Sequence, residues 1–107
     1  MVRNIKEREG VMATLITLSD GDTTPSVHDA RVAVTNNTGA TTITAFDDGS
    51  NGQVVTIIFK DNNTKVQPGA ALILSEADQE SGFLDGDTLT LVYYNLIWYE
   101  CERSVNS

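Results

Sequence analysis

The stretch TLTLVYY, residues 88–94, decides the fold through the alternation of its side chains. Successive side chains of a β-strand point to opposite faces of the sheet. Leu89, Leu91 and Tyr93 therefore fall on one face, whereas the two threonines, Val92 and Tyr94 fall on the other. This pattern predicts a strand with one buried face and one mixed face.

Further runs of β-branched and aromatic residues recur along the chain at intervals of about 8–12 residues, a spacing typical of sandwiches and barrels. We predict strands at residues 11–18, 31–35, 41–46, 54–60, 70–74, 88–94 and 96–102. Glycine, asparagine and aspartate fill the turns between them, as in residues 47–52 and 85–87. The sequence predicts an all-β fold, a small single-domain β-sandwich or jelly-roll-like domain, with a short β-helix as the alternative.

A hairpin is expected between the last two strands. Tyr94-Asn95 lies where a tight turn needs residues in the left-handed conformation. Pairing across this hairpin would bring Trp98 against a tyrosine as a cross-strand core pair. The alternative is an exposed aromatic platform for stacking on a carbohydrate.

The run VVTIIF, residues 54–59, is apolar on both faces except at Thr56. Such a strand is central and covered on each side, or it is covered on its second face by another subunit. We predict a trimer interface formed by Val54, Thr56 and Ile58. The alternative is a central sandwich strand that leaves some valine exposed.

Composition excludes several classes of function. The 107 residues carry a formal net charge of −8, which disfavours nucleic acid and anionic membranes as partners, because phosphate contacts need a cationic surface. The apolar run at residues 11–18 is too short to span a membrane. A single cysteine, Cys101, excludes an intrachain disulfide, and a single histidine, His28, excludes a multi-histidine metal centre. We expect no metal and no cofactor.

Catalysis is not expected, and neither is a small-molecule substrate. The carboxylates flank glycines in turns such as Asp85-Gly86-Asp87, whereas general acid–base chemistry needs a carboxylate held in a cleft. The spacing that begins at Asp47 resembles a calcium-binding loop but has Gly49 at its third position and Ile58 at its twelfth, where ligands are required. We predict that the protein is not an enzyme.

The N-terminal segment differs from the rest of the chain, and we divide the chain into an arm, residues 1–24, and a β-domain, residues 25–107. The first residues hold three of the seven basic side chains. A frayed terminus is one interpretation. The other is an extension that docks onto a partner surface.

From Thr24 to Ser104 the sequence resembles a module found in virion proteins of tailed bacteriophages and prophages, across about three quarters of the chain. The similarity is carried by Thr24-Pro25-Ser26-Val27, by Asn37-Thr38-Gly39-Ala40-Thr41-Thr42-Ile43 with Phe46, by Gly52-Gln53, Thr56-Ile57, Phe59, Asp61 and Thr64, and by Trp98-Tyr99-Glu100 with Arg103-Ser104. Its most specific part is Gly86-Asp87-Thr88-Leu89-Thr90-Leu91-Val92-Tyr93. The similar modules commonly have Asp-Gly at the last hairpin.

The resemblance implies a structural protein of the virion, β-rich and often trimeric. A module preceded by a short arm favours a decoration, or cement, protein that is made in the host cytoplasm and binds the major capsid protein on the capsid surface as a homotrimer. The capsid-binding residues of the arm would then be Arg3, Lys6, Arg8, Val11, Leu15, Ile16 and Leu18. The alternative is a receptor- or glycan-binding module of a tail fibre or spike.

Overall fold

The computed structural model describes residues 14–75 and 81–106, and every regular element in them is a strand. The strands are Leu15–Thr17 (β1), Val32–Val34 (β2), Thr41–Ile43 (β3), Val54–Ile58 (β4), Thr64–Val66 (β5), Leu72–Ile73 (β6), Ser81–Gly82 (β7), Thr88–Tyr94 (β8) and Ile97–Ser104 (β9). The predicted all-β class is confirmed. Each predicted strand overlaps an observed one, whereas β5 and β7 were not predicted.

The strands form two sheets, one of six strands in the order β1-β2-β4-β8-β9-β6 and one of three in the order β3-β5-β7. From β2 to β5 the chain alternates between the sheets. In this part of the chain β2 and β4 pair in parallel, with Val32 opposite Thr56, and so do β3 and β5, with Thr41 opposite Thr64, whereas β5 and β7 are antiparallel. The chain thus winds between the two sheets with parallel pairing of these strands.

The last two long strands add an antiparallel part to the larger sheet. Strand β8 pairs antiparallel with both β4 and β9, while β6 adds a parallel edge beside β9. The sheet is therefore mixed. Strand β8, whose alternation predicted the fold, lies between β4 and β9 in the interior of the sheet.

One apolar core lies between the two sheets. Val55, Ile57 and Leu89 of the larger sheet share it with Ile43 and Val66 of the smaller one, and all five are buried. Across the same space, Phe59 stacks on Phe83 with ring centroids 4.1 Å apart. Burial of these inner faces is the main stabilising contribution to the fold.

The predicted cross-strand pair is present at the end of this core. Trp98 lies opposite Tyr93, with ring centroids 4.7 Å apart. Only 1% of Trp98 is exposed, and its Nε1–H donates to the Phe46 carbonyl over 3.0 Å. A Cβ atom on Gly49 would lie 2.7 Å from the Trp98 ring and 2.8 Å from the Tyr93 ring, so the close approach of this turn requires glycine.

A network of polar groups, which we call the polar clamp, joins the loops that follow β1, β2 and β4. Asn37 is its centre: its Oδ1 accepts the Gly21 N–H at 2.7 Å, and its Nδ2 donates to the buried Thr64 hydroxyl at 2.8 Å. Asp61 accepts the Asn37 N–H at 2.9 Å, and the Asn63 N–H and Thr64 hydroxyl at 2.8 Å each. The clamp therefore ties together three successive turns of the winding.

Candidate interaction surface

The larger sheet has a second face, turned away from the core, which we call the outer face. The pairing registers place sixteen side chains on it. They are Leu15, Thr17, Val32, Val34, Val54, Thr56, Ile58, Ile73, Thr88, Thr90, Val92, Tyr94, Ile97, Tyr99, Glu102 and Ser104. Glu102 supplies the one charge in this set, although the chain as a whole carries −8.

The outer face is also where exposed apolar surface is concentrated. Eight large apolar side chains are exposed among the described residues, and Leu15, Val54, Ile73, Tyr94 and Tyr99 belong to this face. A solvent-facing sheet normally alternates with polar and charged residues. Contiguous apolar surface with few charges instead marks a site of interaction.

The structure brings the predicted trimer residues together along β4, on the outer face. Val54 is 47% exposed, while Thr56 and Ile58 are partly buried. The Thr56 and Thr90 hydroxyls lie 3.0 Å apart and form one hydrogen bond, in which one hydroxyl donates and the other accepts. This contact lowers the cost of covering the two groups, because one donor and one acceptor are already paired.

Sequence reasoning missed the contributions of Leu15, Ile73 and Tyr99 to this surface. Each comes from a strand whose register is set by a distant partner: Leu15 lies opposite Val32, and Ile73 lies opposite Tyr99. For Tyr99 the sequence did hold a signal: Ile97 and Tyr99 alternate with Trp98, so burial of Trp98 predicts that both point to the opposite face.

The predicted arm residues fall into three different environments. Arg3, Lys6, Arg8 and Val11 lie outside the described residues. The remaining three belong to the β-domain, because β1 pairs with β2: Leu18 is 4% exposed within the core, Ile16 packs partly against it, and Leu15 is on the outer face. Residues 15–17, which were predicted to belong to the arm, form strand β1 of the larger sheet.

The turn of the last hairpin is one residue later than predicted. Asn95 (φ 52°) and Leu96 (φ 72°) take the left-handed conformation, not Tyr94 and Asn95. Tyr94 is the last residue of β8 and pairs with Ile97. We call residues 94–96 the hairpin tip; Tyr94 is 63% exposed and Leu96 is 76% exposed.

The carboxylates considered for catalysis serve as turn and surface partners. Asp87 is buried and accepts the backbone N–H groups of Leu84 and Asn106, each at 2.9 Å. Asp85 is exposed and forms an ion pair with Lys60 at 3.0 Å. These contacts hold loops in place.

A second ion pair, between Glu100 and Arg103 of β9, lies at the edge of the core. The Glu100 carboxylate accepts two hydrogen bonds from Arg103, at 2.8 and 2.9 Å, and one from the Ser75 N–H at 2.8 Å. The Arg103 hydrogen bond outweighs burial and holds the pKa of Glu100 below its usual value. The Arg103 guanidinium also lies over the Phe83 ring, 5.2 Å from its centroid. This pair shields the aromatic core from water.

Among residues 14–75 and 81–106, no group of three or more histidine, cysteine, aspartate or glutamate side chains is placed to hold a metal ion. In the same part of the chain, no helix has the length and apolarity needed to cross a membrane.

Comparisons with protein-family models, with curated proteins and with solved structures found no match. The fold and the surface define the class of protein: an all-β domain with a mixed six-stranded sheet whose second face is apolar. The resemblance to phage virion modules remains a prediction.

Proposed function

We propose that the protein is a non-catalytic decoration protein of a phage head, a homotrimer that binds the major capsid protein on the outer shell and stabilises it. The observation that carries the proposal is the outer face, on which ten of the sixteen side chains are apolar and only Glu102 is charged. A structural protein acts by burial of surface, and this face is the part of the molecule suited to it.

The size of the outer face is consistent with one part of a larger interface. Six strands about 4.8 Å apart, with an average length of about five residues, span on the order of 400 Å². A stable interface between two proteins buries about 800 Å² on each partner. Further contacts are therefore required, and the hairpin tip, which borders the outer face, would supply part of them.

Threefold assembly suits the outer face because three copies can turn these faces toward one axis. Strands β4 and β8 occupy the middle of the sheet, so Thr56 and Thr90 would lie nearest to this axis. Their hydroxyls are already paired within one copy, at 3.0 Å. Each copy would then contact two others, and no apolar sheet face would remain in water.

The oligomeric state tests this arrangement. Sedimentation velocity is expected to give a species of about 35 kDa, three times the 11.6 kDa of one chain. Thr56→Glu places a charge on the outer face and is expected to give a monomer, because burying an unpaired carboxylate is strongly unfavourable.

Thr42→Glu is the matched control. Thr42 is a partly buried threonine in the middle of a strand of the smaller sheet, opposite Lys65, and it points away from the core. This variant is expected to remain a trimer. A monomeric wild-type protein, or Thr56→Glu that still sediments at the trimer mass, contradicts the proposed assembly.

Binding to phage heads tests the capsid contact separately. Deletion of residues 2–13 leaves β1 in place, and so does the triple variant Arg3→Glu, Lys6→Glu, Arg8→Glu. Both are expected to reduce occupancy on purified undecorated heads of the encoding phage by at least tenfold while the protein stays trimeric. Undiminished occupancy would reject the role of the N-terminal residues.

One observation favours the second candidate, a receptor- or glycan-binding module of a tail fibre or spike. Tyr94 and Tyr99 both lie on the outer face with their rings exposed, as a stacking surface for sugars would require. Location in the virion distinguishes the two: a head protein covers the shell in many copies, whereas a tail protein is confined to the tail.

A further inference from the structure

Leu96 combines backbone strain with exposure. Its φ of 72° lies in the left-handed region, which a leucine adopts at a cost because its Cβ crowds the backbone. Its side chain is 76% exposed, the largest value among the exposed large apolar residues described. Contacts with residues 14–75 and 81–106 therefore do not explain why leucine stands where the turn favours glycine.

Hydrogen bonds fix the backbone on both sides of Leu96. The Asn95 N–H donates to Asn51 Oδ1 at 2.8 Å, and the Gly52 N–H donates to the Tyr93 carbonyl at 2.8 Å. Beneath the tip, Trp98 and Tyr93 are packed together and covered by Gly49. The tip is thus pre-organised, which reduces the ordering cost of any contact that it makes.

We propose that Leu96 is the anchor by which one copy of the chain contacts the next in the trimer, packed against the apolar outer face of the neighbouring copy with Tyr94 beside it. Two observations favour a second copy as the occupant. Tyr94 lies on the outer face opposite Ile97, so the tip is continuous with that face. The outer face also supplies about half of the roughly 800 Å² that a stable partner surface needs.

The position of the tip supports the same occupant. It connects β8 to β9, and β8 lies between β4 and β9 in the sheet, so the tip projects from the middle of one border of the outer face. A neighbouring copy that covers this face would reach the tip. The inference rests on the proposed self-assembly.

Leu96→Gly tests the anchor with two readouts. The trimer dissociation constant, measured by sedimentation velocity, is expected to increase at least tenfold, because a buried leucine is lost from the interface. In the monomeric Thr56→Glu background, the same substitution is expected to raise the thermal midpoint by about 4 °C through relief of strain. Val105→Ser removes another exposed apolar side chain, 70% exposed, and is expected to change neither readout.

The outcomes distinguish failure of the Leu96 proposal from failure of the proposed trimer. If Leu96→Gly leaves the dissociation constant unchanged while Thr56→Glu still gives monomers, the anchor is rejected and the self-assembly stands. A wild-type monomer rejects both. A lower thermal midpoint for Leu96→Gly would show that leucine is favoured within the single chain, and this would remove the basis of the inference.

Discussion

Trp98→Ala is expected to lower the free energy of unfolding by about 3–5 kcal/mol, the usual cost of removing a large buried aromatic side chain. Trp98 is 1% exposed and packs against Tyr93 and, edge to face, against Phe46 with ring centroids 6.4 Å apart. The substitution leaves a cavity at the end of the core. It also leaves the Phe46 carbonyl without its donor.

Trp98→Phe separates the two causes, because it keeps most of the ring volume and removes the indole N–H. Its expected cost is about 1–2 kcal/mol. Urea unfolding followed by far-UV circular dichroism is the suitable measurement, since Trp98 is the sole tryptophan and its fluorescence is lost. Equal losses for the two variants would contradict the cavity argument and assign the whole effect to the hydrogen bond.

The Trp98–Tyr93 pair shows which parts of the fold the sequence could predict. It depends on strand alternation and on a short hairpin, both of which are local. The turn itself was misplaced by one residue, because tyrosine and leucine are equally poor in the left-handed conformation and neither marks the turn. The observed register leaves Tyr94 in β8 and puts Leu96 in the turn.

The stacked parallel strands could not be predicted in the same way. The register of β2 against β4 and of β3 against β5 depends on residues far apart in sequence. Strand β5 has three residues, and Lys65 at its centre is exposed, so its pattern is too short to identify. Leu18 belongs to this core, but the apolar pattern around it would be the same if the segment packed against another protein, so the sequence could not distinguish the two.

The outer face was predicted in part for a related reason. The two-sided apolar pattern of residues 54–59 identified Val54 and Ile58 correctly as side chains directed away from the core. The remainder of the face comes from the order of the strands in the sheet. That order places β1, β2 and β9 beside β4 and β8, and no local pattern encodes it.

Asp61→Ala is expected to lower the free energy of unfolding by about 2–4 kcal/mol, because it removes the carboxylate that accepts three hydrogen bonds in the polar clamp. The N–H groups of Asn37 and Asn63 and the Thr64 hydroxyl would lose their partner. Thr64 is buried, so water cannot freely replace the carboxylate. The three loops that the clamp joins would then separate more easily.

The same contacts predict a dependence on pH. Burial alone raises the pKa of Asp61, but the hydrogen bonds donated by Asn37, Thr35, Asn63 and Thr64 together outweigh it, and the pKa lies below its usual value. A carboxyl whose pKa is lower in the folded state stabilises the fold at every pH above its unfolded pKa. This contribution is lost as the pH falls through the folded-state value, so the protein is expected to lose stability in acid below about pH 4.

Asp61→Asn isolates the contribution of this carboxyl, because an amide has the same shape but cannot titrate and turns an N–H₂ group toward the clamp's donors. The variant is expected to be less stable than wild type at about pH 7 and to lose less stability between about pH 4 and pH 2 in urea unfolding. Glu100, whose pKa is also lowered, is expected to cause part of the loss of stability in acid in this variant as well. Asp85→Asn is the control, since its exposed ion pair with Lys60 contributes less than about 1 kcal/mol. If Asp61→Asn loses as much stability as wild type between about pH 4 and pH 2, the clamp does not depend on the charge of Asp61.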